Sequence, residues 1–222
     1  MKEQLLKFEK ELTDELQRIL SYWIKNTIDE TNGGFYGRIS NENKIYPDAP
    51  KGSVLNSRIL WSFSAAYNLT NNYDYLQTAA RSSQYILDHF IDSVNGGVYW
   101  TVDSKGNPLD TKKQFYALSF AVYAFSEFAK CCDREDAKNT AISLYNVIVA
   151  KSYDREYGGY IEALSIDWKE LEDIRLSNKD ANEKKSMNTH LHILEGFANL
   201  YTIWPDQGLK KKIEELIHIF LD

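Results

Sequence analysis

The 222-residue chain is poor in the residues that most readily betray a chemistry. It has two cysteines, adjacent at Cys131 and Cys132, and this placement gives neither a disulfide framework nor metal-ligand spacing. Its four histidines, His89, His190, His192 and His218, form no HExxH or other zinc pattern. No glycine-rich loop precedes a lysine, so no phosphate cradle is expected. Basic charge is in deficit, with a formal net charge of −6, which argues against a nucleic-acid partner. No apolar run approaches the roughly 18 residues of a membrane span. The N-terminal MKEQLLKFEKEL reads as a charged amphipathic helix rather than a signal peptide, so the expected location is a reducing cytoplasm.

Aromatics, in contrast, are abundant. Fifteen Tyr and five Trp provide stacking surfaces with polar tips, which suit sugar sites as well as cores and interfaces. Hydrophobic residues make up 43% of the chain, enough for one sizeable core, and residues 1–222 are read as a single domain.

The organising signal is a repeat. Asp29-x-x-x-Gly33-Gly34-Phe35-Tyr36 returns as Asp92-x-x-x-Gly96-Gly97-Val98-Tyr99 and again as Asp154-x-x-x-Gly158-Gly159-Tyr160, a period of 63 and then 62 residues. Each block reads as a helix end, a Gly-Gly turn, a short β-prone segment (FYGRI, VYWTV, YIEAL) and then two helices. The first helix of each pair is nearly uncharged: 54–69 carries only Arg58, 114–129 only Glu127, and 187–203 only Glu195 besides its histidines. Helices apolar all round are expected to be buried all round. The others, at about 73–92, 134–151 and 209–222, together with an opening helix at 2–26, have ordinary charged faces. The prediction is an all-α fold, an α/α toroid of three inner and four outer helices. That is about half of an (α/α)6 barrel, with short β-hairpin-like segments at the Gly-Gly turns. A second copy in a homodimer, or a missing C-terminal half, would close such a ring.

The stretch 176–201 holds the strongest local signal. On a helix from Met187, Asn188, His192, Glu195 and Asn199 fall at i, i+4, i+7 and i+11 and share one face, expected to look into a cavity. Met187, Leu191, Leu194 and Ala198 are expected on the opposite side. His190 lies about 200° around the helix from His192 and is assigned to packing or to a supporting place behind the site. The N-terminal ends of the inner helices should gather Asn56 and Arg58, Gln114 and Tyr116, and Asn188 and His192 at one mouth, with Trp61 a candidate sugar platform. The run 178–185 reads as a solvated charged loop. Asp103, Glu127, Asp167 and Glu195 show no spacing that would pair two of them for glycoside hydrolysis.

Lys51-Gly-Ser-Val-Leu-Asn-Ser-Arg-Ile-Leu-Trp61, Gly96-Gly-Val-Tyr-Trp100, Asp167-Trp168 and above all KDANEKKSMNTHLHILE (179–195) resemble the cellobiose 2-epimerases of the N-acylglucosamine 2-epimerase superfamily of (α/α)6 barrels. The resemblance implies epimerisation at C2 of the reducing-end sugar of a β-1,4-linked disaccharide, with no metal and no organic cofactor. It implies that Arg58 contacts O1 and O2, that Tyr116 and Asn188 hydrogen-bond the sugar, and that His192 acts in ring opening or as an acid/base assistant. Glu195 and Trp61 complete the candidate set. The family's chains are close to twice this length, and their second half carries two further histidines that flank C2, so the present sequence reads as an N-terminal portion. Two other readings stay open: a non-catalytic half-barrel that binds sugar or a partner chain, and an aldose–ketose isomerase of the mannose/fructose type.

Overall fold

The computed structural model describes residues 2–221. Seven helices alternate in position, as the charge pattern requires. The outer helices are α1 (Lys2–Asn26), α3 (Tyr73–Tyr85, continued by a π-helical turn at Ile86–Phe90), α5 (Glu135–Lys151) and α7 (Gln207–Leu221). The inner helices are α2 (Ser53–Thr70), α4 (Phe115–Ala129) and α6 (Met187–Tyr201). α4 is the centre of the molecule and packs against α2, α5 and α6. Twelve of its fifteen residues are buried, and alanines at 117, 121 and 124 let its neighbours approach closely.

Burial all round holds for α4 alone. α2 and α6 each leave a strip open, because each has an inner neighbour on one side only. On α6 the buried face is Thr189, His190, Ile193, Gly196, Phe197 and Leu200. Met187, Leu191 and Ala198 are exposed, as are Asn188 and Glu195, so these apolar residues do not lie opposite the polar stripe. At 100° per residue they sit beside it, which the expectation of opposite faces overlooked.

The helix ends are fixed locally. The Asn72 side chain accepts the Asp74 N–H at the start of α3. Ser186 accepts the Thr189 N–H at the start of α6. Asn71, at φ 55°, ends α2 in the left-handed conformation that asparagine tolerates.

The β-prone segments make less strand than the residues suggest. FYGRI forms none, only the single bridges Ile28–Phe35 and Ile39–Ile45. The real strands are short and join one block to the next. β1 (Lys51–Gly52) pairs antiparallel with β2 (Thr101–Val102), which also pairs with β3 (Pro108–Asp110); β4 (Lys113–Gln114) pairs with β5 (Ala163–Leu164). Each inner helix start up to α4 is thus tied to the segment after the next Gly-Gly turn.

A second device repeats with the turns. Asp29 accepts the backbone N–H groups of Thr31 and Asn32, and Lys51, at the entry to α2, donates to its carboxylate at 2.9 Å and to the Gly33 carbonyl at 2.7 Å. Asp92 and Lys113 repeat the pair at 2.7 Å, and Asp154 and Lys185 at 2.7 Å. The first two pairs are fully buried and the third is partly open. These lysines stitch the end of an outer helix to the start of the next inner one. The second glycine of the turn answers to a close approach. A Cβ on Gly34 (φ +61°) would lie 2.7 Å from the Tyr85 ring, and one on Gly159 (φ +72°) 2.6 Å from His190 Nε2.

Candidate active site

One face of each inner helix, the open strip on α2 and α6, carries side chains at the same spacing of i, i+4, i+7 and i+11. They are Val54, Arg58, Trp61 and Ala65 on α2, Tyr116, Phe120, Tyr123 and Glu127 on α4, and Asn188, His192, Glu195 and Asn199 on α6. Packed side by side, the helices bring equivalent positions to one level.

At the upper level, Phe120 is the common neighbour. The Arg58 guanidinium carbon lies 4.7 Å from the centre of its ring. The His192 ring centre lies 4.5 Å from it at a tilt of 38°, and Tyr116 packs on it at 5.0 Å. Tyr116 also meets His192 edge-on at 4.8 Å. The sequence-predicted Arg58, Tyr116 and His192, from three different helices, therefore form one cluster. Arg58 is exposed, and it pairs with no carboxylate among the described residues; the aromatic face is what steadies it.

Glu195 lies on the expected face and bonds to its neighbour there. Its carboxylate lies 2.5 Å from His192 Nδ1. A carboxylate only accepts, so Nδ1 donates to Glu195; in the neutral imidazole this tautomer leaves the lone pair on Nε2. The glutamate is thus a hydrogen-bond partner of the histidine, and its side chain is still partly open to solvent.

One turn below, Trp61 stacks on Tyr123 at 5.0 Å with an interplanar angle of 19°. One face of the indole is therefore already covered. Burial pushes the Tyr123 phenol above its ordinary value, and the charges of Glu195 and Glu127 add to this. Lower still, Asn68, Glu127, Lys130 and Asn199 form a closed network. Asn68 Nδ2 donates to Glu127 at 2.9 Å, Lys130 Nζ to Glu127 at 2.8 Å and to Asn199 at 2.7 Å, and Asn199 Nδ2 to Glu127 at 3.2 Å. Burial pushes the Glu127 carboxyl up, but the donors from Lys130 and Asn68 outweigh it and hold it below the usual range. Asn199, assigned to the cavity stripe, serves as a brace between α4 and α6.

Asn188 is exposed one turn above His192. It lines a cavity of about 220 Å³ with Glu162, Arg175, Asp180 and Ser186. Glu162 is buried, accepts the Ser186 N–H at 2.8 Å and the Thr189 hydroxyl at 2.7 Å, and so pins the start of α6. His190 is a packing residue as expected: Nε2 accepts the Tyr160 N–H at 2.9 Å while Nδ1 donates to the Ser186 carbonyl at 2.7 Å. Gln114 is buried and its amide donates to the carbonyls of Ile174 and Arg175, holding the loop before α6 against α4. Among the described residues no three His, Cys, Asp or Glu side chains converge as metal ligands would.

Phe120 and Tyr123 were not among the residues singled out from the sequence. The signal for them is the stripe itself: 116, 120, 123 and 127 repeat the spacing of 188, 192, 195 and 199.

Comparison with known proteins adds the decisive observation. The sequence model of the N-acylglucosamine 2-epimerase (GlcNAc 2-epimerase) family matches residues 34–222. The chain belongs to that family. It is 49% identical over 222 residues to a cellobiose 2-epimerase of Bacteroides fragilis, covering 99% of this chain and 56% of that protein. It is 38% identical over 203 residues to a cellobiose 2-epimerase of Dictyoglomus turgidum, covering 91% of this chain and 51% of that one. The solved cellobiose 2-epimerase of Bacillus thermoamylovorans superposes with a TM-score of 0.92 at 37% identity, over 96% of this chain and 55% of that one. As a member of the N-acylglucosamine 2-epimerase family, the chain therefore has the family's helical toroid and spans about half the length of the relatives it matches.

Proposed function

We propose that the chain forms one wall of the active site of a carbohydrate 2-epimerase acting on the reducing-end sugar of a β-1,4-linked disaccharide such as cellobiose. The observation that carries the reading is the cluster of Arg58, Tyr116 and His192 around Phe120, with Glu195 on Nδ1 of the histidine.

The chemistry follows from the open-chain sugar. Ring opening exposes an aldehyde at C1 and makes the C2 proton acidic. A base takes that proton, the electron pair moves into an enediolate, and a proton returning to the other face of C2 inverts the centre. His192 Nε2, with its lone pair free, exchanges a proton with the sugar in ring opening and assists the acid/base steps. Arg58 faces O1 and O2 and stabilises the negative charge that develops there. Tyr116 and Asn188 hydrogen-bond the hydroxyls. Trp61, with one face taken by Tyr123, offers its remaining edge to the sugar. No cofactor enters this scheme.

Inversion needs a proton-transfer group on each side of C2. In this chain His89 bonds to Gly106, His190 is committed to backbone on both nitrogens, and His218 lies on the outer helix α7. The second group must come from the opposite wall. Six hairpins hold twelve helices and seven are described here, which leaves three inner and two outer helices to complete the ring. A second identical copy would bring two outer helices too many, so the count favours a different five-helix complement over a homodimer.

No described helix is long and apolar enough to cross a membrane. The thiols of Cys131 and Cys132 are both free, which suits a reducing cytoplasm. The test is a chimaera in which the remaining segment of the Bacteroides fragilis relative completes this chain. Incubated with cellobiose in heavy water, it is expected to place deuterium at C2 and to yield glucosyl-mannose. A folded chimaera that leaves C2 unlabelled would remove the epimerase reading and leave a sugar-binding half-barrel.

A further inference from the structure

We infer that Phe120 is a positioning residue of this site, a ring that sets where the Arg58 cation and the His192 imidazole stand relative to each other; the inference rests on the epimerase reading above. Three features single the ring out. It is held by the most buried helix of the molecule and is itself 6% exposed, so it cannot swing away. It is close to all three of Arg58, Tyr116 and His192, at 4.7, 5.0 and 4.5 Å. And Arg58 finds no carboxylate among the described residues, where the π-face is the directed partner its guanidinium has.

The chemistry explains why a ring suits this place. A carboxylate here would hold Arg58 as firmly, but it would neutralise the charge the enediolate needs. A hydrogen-bond acceptor would compete with the sugar oxygens for the guanidinium N–H groups. A phenyl face attracts the cation through its quadrupole and leaves every N–H free for O1 and O2. The same ring limits the tilt of His192, which is also held by the Tyr116 edge and by the Glu195 hydrogen bond on Nδ1. The phenyl group therefore fixes two reacting partners without entering the chemistry.

The test begins with the unaltered chain. In its NMR spectrum the Arg58 side-chain protons are expected upfield of their usual position, from the ring current of Phe120. Phe120→Tyr keeps that displacement and Phe120→Leu abolishes it while the amide spectrum elsewhere is retained. In the chimaera, Phe120→Leu is expected to lower kcat for C2 exchange at least tenfold with a KM change below threefold, and Phe120→Tyr to stay within threefold of the parent. An undisplaced Arg58 in the unaltered chain overturns the inference without recourse to any variant. So does Phe120→Leu with parental kcat, or Phe120→Tyr as slow as Phe120→Leu. Should the parent chimaera show no exchange, the epimerase reading falls and the role of Phe120 in that reaction falls with it, while the Arg58 displacement still decides whether the ring holds the cation.

Discussion

At the scale of single residues, the proposed site depends on one imidazole and one guanidinium. His192→Ala removes the imidazole proposed to exchange a proton with the sugar, and Arg58→Ala removes the charge proposed to face O1 and O2. Each is expected to slow C2 exchange in the completed barrel by more than tenfold, about 1.4 kcal/mol of transition-state stabilisation per tenfold. Deuterium incorporation measured by mass spectrometry checks this, and parental rates in both variants would remove the assignment. The buried pairs make a separate prediction about stability. Burial pushes the Asp92 carboxyl up, but the donors from Lys113, Asn95 and Val94 outweigh it and bring it down to about 2. A lowered carboxylate stabilises the fold above its unfolded pKa, and that contribution is lost as pH falls from about 4 towards 2. Lys113→Met leaves Asp92 buried without its cation and is expected to cost about 3–5 kcal/mol at pH 7. The gap from the parent should narrow at pH 3, where the unpaired carboxyl is neutral. Urea melts at both pH values measure it; an equal gap at both would mean that the ion pair is not what the lysine contributes.

At the scale of elements, the turns and helices were unequally legible. The inner and outer helices could be told apart because exposure to water is what lets a helix carry charge, and 54–69, 114–129 and 187–203 carry almost none. His192 and Arg58 stood out as polar residues in apolar surroundings. Phe120 and Tyr123 did not, because an aromatic side chain in an apolar helix looks the same whether it faces a core or a cavity. The lysine stitches were hidden for another reason. Their partners lie 22, 21 and 31 residues away, so no local pattern marks them. The role of Glu195 needed coordinates, since i, i+3 spacing permits a His–Glu bond without requiring one. The turn glycines could be read as turns, but their second duty, contact with a ring from a distant helix, could not. Gly159→Ala forces a Cβ onto His190 Nε2 and strains a positive φ. It is expected to destabilise by more than about 1 kcal/mol, and so by several degrees in Tm, with the loss of the His190–Tyr160 hydrogen bond visible as faster amide exchange at Tyr160. Ala tolerated at 159 with an unchanged melt would show that the turn can relax.

At the scale of the whole molecule, the half-ring leaves apolar side chains in water. Leu5, Phe8 and Leu12 are each more than half exposed along one face of α1, and Leu191 and Ala198 lie open on α6. Patches of this kind mark interaction surfaces. On the proposed closure by a different five-helix complement, the chain alone is expected to stay monomeric at micromolar concentration. Light scattering would give a mass near 25.7 kDa; a stable dimer would show that two copies find a closure the count does not foresee.

The stitches have a consequence for the assembly of such chains from parts. Asp29 and Lys51, Asp92 and Lys113, and Asp154 and Lys185 each close within their own block. A junction placed after α2, near Asn71, or after α4, near Cys132, crosses none of them. Segments exchanged between relatives at those two points carry their own ion pair with them, so recombination there swaps whole walls of the barrel without leaving a buried charge behind.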